Sequence, residues 1–181
     1  MKNKAWRDHL WDWFKALILA GCVVVLLRYF LLLPIMVQGS SMIPTLHQGD
    51  QMIVESISKI KRFDVIVFQD ASERTLVKRV IGLPGEEIRY DHDQLYVNNK
   101  EVSEPFLKNN LVEAAGETWT SNFDLKQLTG VNKIPKDSYF VLGDNRRSSN
   151  DSRVFGFITK DEIIGKTNFV YYPFKRMTAI N

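Results

Sequence analysis

One cysteine, Cys22, stands among 181 residues. With no second thiol there is no internal disulfide, and a zinc site built on cysteines is excluded. Histidine is scarce too, limited to His9, His47 and His92. No cluster of His, Asp or Glu has metal-ligand spacing, no phosphate-binding glycine loop occurs, and the Gly-x-Ser-x-Gly elbow is missing. Nothing in the chain therefore calls for a metal or a cofactor. Internal repeats and low-complexity stretches are also lacking. Positive charge is in short supply where a nucleic-acid binder would need it. The net charge is +3, but from Val37 onward 19 Lys/Arg are matched by 19 Asp/Glu, so the whole excess lies in the first 28 residues. A basic face for nucleic acid is excluded as a simple reading.

What the chain does have is an apolar run near its start. Residues 14–37 read FKALILAGCVVVLLRYFLLLPIMV, and Arg28 is the one charge after Lys15. As a helix these residues would reach roughly 36 Å, against a hydrocarbon core of about 30 Å. Arg28 is expected to snorkel toward the far face, and Trp6, Trp11 and Trp13 to form an interfacial belt. The run exceeds the usual core of a cleaved signal peptide and no Ala-x-Ala follows it. Lys2, Lys4, Arg7 and Lys15 precede it, which favours a cytoplasmic N-terminus. The expected division is a cytoplasmic segment 1–13, a transmembrane anchor 14–36 and an extracellular domain 37–181.

Beyond the anchor, short runs rich in Val, Ile, Phe and Tyr alternate with turn residues. Strands are expected at 51–54, 64–68, 76–81, 87–90, 94–97, 139–142 and 167–172. Asp91-His92-Asp93 and Asn98-Asn99-Lys100 have hairpin-turn character, and 160–164 suggests one brief helix. An irregular insert is expected around 105–135. The fold class is mostly β, an antiparallel β-sheet domain with a single N-terminal transmembrane helix.

Three segments carry residues able to do chemistry: 39–46, 76–86 and 143–153. In the second, Lys78 interrupts an apolar strand. Period-2 alternation puts Leu76, Lys78 and Val80 on one face and Val77, Arg79 and Ile81 on the other. One of Lys78 and Arg79 must then face what the strand buries. Burial disfavours the ammonium form and turns lysine into a usable general base, a service arginine cannot give. A Ser-His-Asp triad finds no support, because His9 precedes the anchor, His92 sits in a turn and His47 in a polar stretch.

Ser-Met-x-Pro-Thr-Leu at 41–46, Lys-Arg-Val-x-Gly-x-Pro-Gly at 78–85 and Gly-Asp-Asn-Arg-x-x-Ser-x-Asp-Ser-Arg at 143–153 occur in this order. Together they resemble the motifs of bacterial type I signal peptidases, membrane-anchored Ser/Lys endopeptidases, and the short chain is similar to their Gram-positive branch. Arg62 to Phe68 is similar to a fourth family segment, with Phe63 where glycine is common. The resemblance implies Ser41 as nucleophile and Lys78 as general base, with the Ser149 hydroxyl orienting the lysine. It implies Asp151 and Arg153 in an ion-pair network with Arg62 as partner, and Val37, Met42 and Val77 as pocket walls. The Ser41 N–H would be one oxyanion donor. Where some relatives place a serine hydroxyl as the second, this chain has Gly39, leaving the backbone there or a water for that role. The implied activity is removal of signal peptides from secretory preproteins after Ala-x-Ala-like sequences at the outer membrane face. The lipid bilayer and the export machinery would be its other partners. A Ser/Lys self-cleaving repressor would need a DNA-binding domain where the apolar run stands. A tethered β-domain that only binds would have no use for Ser41 and Lys78.

Overall fold

The computed structural model describes residues 2–56, 58–107 and 117–180. Two compact units divide the chain, the first ending at Leu33 and the second running from Pro34.

The first unit is a single helix, α1 (Lys2–Leu31). Leu17, Ile18, Leu19, Val23, Val24 and Val25 are exposed along it, as are Trp6, Trp11 and Trp13. Among the described residues no helix is long and apolar enough to cross a membrane. The side chains of 26–32, Arg28 among them, lie outside the described residues. The helix stops at Leu31, short of residue 36 where the anchor was expected to end, and a strand, β1 (Leu32–Met36), follows. Pro34 supplies the reason. It has no N–H to continue the helical ladder, and its ring pushes Leu33 toward extended backbone.

The second unit is mostly antiparallel β, as expected. Its larger sheet runs β1, β2 (Gln51–Glu55), β11 (Ile163–Tyr172), β3 (Val65–Gln69), β4 (Thr75–Gly82), β9 (Ser138–Leu142), β10 (Ile158–Thr159), and β12 (Thr178–Ala179) pairs with β11. A smaller sheet is ordered β7 (Lys100–Val102), β6 (Gln94–Val97), β5 (Ile88–Asp91), β8 (Phe123–Asp124). Both turns of that sheet fall where the sequence placed them. His92, Asp93, Asn98 and Asn99 all have positive φ, the conformation Asn and Asp tolerate best among residues with a Cβ.

Two local expectations change. The segment 160–164 is a 3₁₀ turn, Lys160–Glu162, capped by Thr159 and Glu162, and β11 begins directly after it. Part of the expected insert is ordered: Phe123 pairs with Tyr90, and a short helix, Leu125–Thr129, follows with Leu125 fully buried. Its Asp124 cap and Gly130 stop are local signals of helix ends. Residues 108–116 of that insert lie outside the described residues.

Three buried clusters make up the core, one of them joining the smaller sheet to Ile81, Phe140 and Leu142. Val37, Met42, Leu46, Met52, Val54, Val65, Val67, Val77 and Val170 form one cluster; Ile66, Phe68, Val80, Val141 and Ile158 form another. Strand β4 is thus covered on both faces. Both Lys78 and Arg79 are buried, where alternation had required only one of them to be.

Candidate active site

Ser41 lies in the turn between β1 and β2. Val37 N donates to Asp50 O and Gly49 N to Val37 O, closing the loop at its base, and buried Met42 and Leu46 pin it into the core. Gly39, at φ 83°, adopts the left-handed conformation that glycine takes without cost. Pinned on one side and bent on the other, the turn leaves Ser41 half-buried with its hydroxyl toward β4.

Lys78 enters from β4, opposite Ile66 of β3. Its Nζ donates to Ser41 Oγ at 2.8 Å and to the Val77 carbonyl at 3.0 Å. Desolvation lowers its pKa from 10.5 to about 8, against the opposing pull of Asp151 and Asp144. Neutral amine is therefore accessible near physiological pH, within contact of a hydroxyl. A cleft of about 580 Å³ opens beside the pair, lined by Ile35, Val37, Met42, Leu76 and Val77 among others. All three residues expected as pocket walls lie there.

The loop 143–153 packs against the same turn. Asn145 N donates to the Ser41 carbonyl at 3.0 Å and Asn145 Nδ2 to the Ser40 carbonyl at 3.2 Å. A Cβ on Gly143 would collide with Ser149 Oγ and with the Ser41 carbonyl, so only glycine fits there. Ser149 is therefore beside the pair. Its buried hydroxyl has no hydrogen-bond partner among the described residues.

Asp151 and Arg153 pair with each other: Arg153 Nε meets Asp151 Oδ1 at 2.8 Å. Asp151 also accepts from Gly143 N at 3.1 Å, tying that glycine in place. Arg62 is elsewhere. It bonds Glu86 and the Ile81 carbonyl, not Asp151. Arg62, in the half-buried segment ahead of β3, reaches the turn 83–86 instead. The guanidinium that does enter the buried network is Arg79, whose Nε and Nη2 reach Asp144 at 2.9 and 2.8 Å. Thr45 Oγ1 donates to the same carboxylate at 2.5 Å, linking β4, the Ser41 turn and the 143–153 loop. A second buried pair joins Arg146 to Glu104, and the same guanidinium donates to Tyr90, Thr120 and the Gly143 carbonyl. Phe63 has φ 70°, which accounts for glycine being suited to that position, and its carbonyl accepts from Arg79 Nη1.

Comparison with known proteins now decides the family. A family model described as signal peptidase, peptidase S26, matches residues 10–172. The chain belongs to that family. It is 45% identical to a signal peptidase I of Bacillus caldolyticus, over 97% of this chain and 96% of that protein. It is 38% identical to signal peptidase IB of Staphylococcus aureus strain Mu50, over 93% and 92%. The crystal structure of a signal peptidase I from Enterococcus faecalis superposes with a TM-score of 0.58 at 40% identity, covering 61% of this chain and 98% of that one. As a signal peptidase this chain is a serine endopeptidase acting on preproteins that carry signal peptides.

Proposed function

We propose that Ser41 and Lys78 form the catalytic dyad, and that the 2.8 Å contact between Lys78 Nζ and Ser41 Oγ is the observation that carries this reading. Neutral Lys78 takes the hydroxyl proton as Ser41 attacks the scissile carbonyl, and the oxyanion forms against the Ser41 N–H. The lysine then gives its proton to the departing amine, and a water activated by the same lysine hydrolyses the acyl-enzyme. The Ser149 hydroxyl, buried beside the Ser41 turn and unbonded among the described residues, is the group available to orient the lysine when substrate binds, while Asp151 and Arg153 hold the loop that carries it.

The apolar cleft beside the dyad suits small side chains before the scissile bond, in an Ala-x-Ala-like pattern, with Val37, Met42 and Val77 as walls. The apolar part of α1 from Phe14 to Leu31 anchors the enzyme in the bilayer, its length of about 27 Å close to that of the hydrocarbon core. Exposed Leu17 to Val25 and the basic residues ahead of the run support that placement. The N-terminus is then cytoplasmic and the dyad extracellular, beside the export machinery that delivers preproteins.

The test is cleavage of an Ala-x-Ala preprotein by the full chain in detergent or vesicles. Ser41→Ala and Lys78→Ala should each lower kcat by at least about 10³-fold with unchanged circular dichroism. Full activity in Lys78→Ala would overturn the dyad.

A further inference from the structure

A second cavity, of about 440 Å³, shares no described lining residue with the first cleft. Ser149 lines the second cavity, and its Oγ crowds the point beside Gly143 that the Ser41 carbonyl also crowds. The two linings differ in the balance of apolar and cationic groups. The first has Ile35, Val37, Met42, Leu76 and Val77 beside Arg74 and Lys78; the second brings together three guanidinium groups, Arg146, Arg147 and Arg153, with Trp119 and Val154, and no carboxylate is among its described lining residues.

The three arginines are not equivalent. Arg146 is paired with Glu104 and Arg153 with Asp151, both carboxylates buried. Arg147 pairs with Glu117, whose side chain is 79% exposed, so among the three it can exchange its partner at little cost. Arg147 is also held in position: its guanidinium lies 5.3 Å over the Trp119 ring, and the indole N–H is fixed by the Asp144 carbonyl at 3.1 Å. Val154, 74% exposed, forms an apolar lip.

A peptide bond placed at Ser41 Oγ has chain on both sides. If its acyl side fills the first cleft, the second cavity, which begins at Ser149 near the Ser41 carbonyl, is within reach of its amine side. We propose that the second cavity receives the first residues of the mature protein and favours an acidic side chain among them, through Arg147. This rests on the Ser41/Lys78 reading above.

The experiment uses the full chain and three preprotein peptides identical except for Asp, Ala or Lys at the second residue after the scissile bond. Wild type should cleave the Asp peptide with a kcat/KM about two- to fivefold above the Lys peptide, the worth of one exposed ion pair. Arg147→Lys should keep that ratio, Arg147→Ala should bring it near one, and Arg147→Glu should invert it. Raising the salt to 1 M should also bring the wild-type ratio near one. Equal cleavage of the Asp and Lys peptides by wild type, or a preference that survives Arg147→Glu, would overturn the proposal while leaving the dyad standing. Failure to cleave even the Ala peptide would bring down the dyad reading and this one together.

Discussion

Replacing Lys78 by methionine should destroy activity and, at neutral pH, make the protein more stable. The lysine is charged in the unfolded chain up to pH 10.5 but only up to about pH 8 in the native state. Below pH 8 folding must therefore bury an ammonium group in the core, at a cost of about 3 kcal/mol. Between pH 8 and 10.5 the unfolded state binds the extra proton, so wild-type stability rises with pH through that window. Methionine has nothing to titrate. It gives up the bonds to Ser41 Oγ and the Val77 carbonyl, worth about 1 kcal/mol each. The variant should then be more stable by about 1 kcal/mol at pH 7 and less stable by about 1 kcal/mol at pH 10. Urea unfolding of the full chain in detergent micelles, followed by tryptophan fluorescence at several pH values, measures both. A stability difference that does not move between pH 7 and 10 would refute a depressed lysine pKa.

Gly143→Ala should lose at least about tenfold in kcat, because the new methyl group displaces Ser149 or the Ser41 carbonyl; a peptide cleavage assay reads this directly. Asp144→Ala should cost about 3–5 kcal/mol in urea unfolding, since it strips a carboxylate from the buried Arg79. The double change Arg79→Met with Asp144→Leu should cost clearly less than the sum of its parts. Ser40→Ala should retain cleavage activity, as Ser40 is exposed and its carbonyl, which Asn145 holds, is unaltered.

Strands such as β5 and β6 were legible in the sequence because apolar alternation and the Asp-rich and Asn-rich turns agree on one register. Ser41 and Lys78 were legible through their motifs and through a lysine set in an apolar strand. Strand β1 was hidden inside an apolar run that reads as helix throughout, and only Pro34 marked the change. The residues 123–129 are too short a pattern for periodicity to detect. Alternation left open which of Lys78 and Arg79 is buried, and could not show that both are, because β4 is covered on both faces. The Asp144 and Glu104 partnerships join residues 65 and 42 positions apart, a distance no local pattern spans. Arg62 was assigned to the wrong carboxylate for the same reason.

The most direct test of the Ser41/Lys78 account is the pH dependence of kcat for preprotein cleavage by the wild-type chain. With Lys78 as base, log kcat should rise with unit slope at acid pH and level off near pH 8, where the amine becomes neutral. A kcat that stays flat from pH 5 to 9 would contradict it.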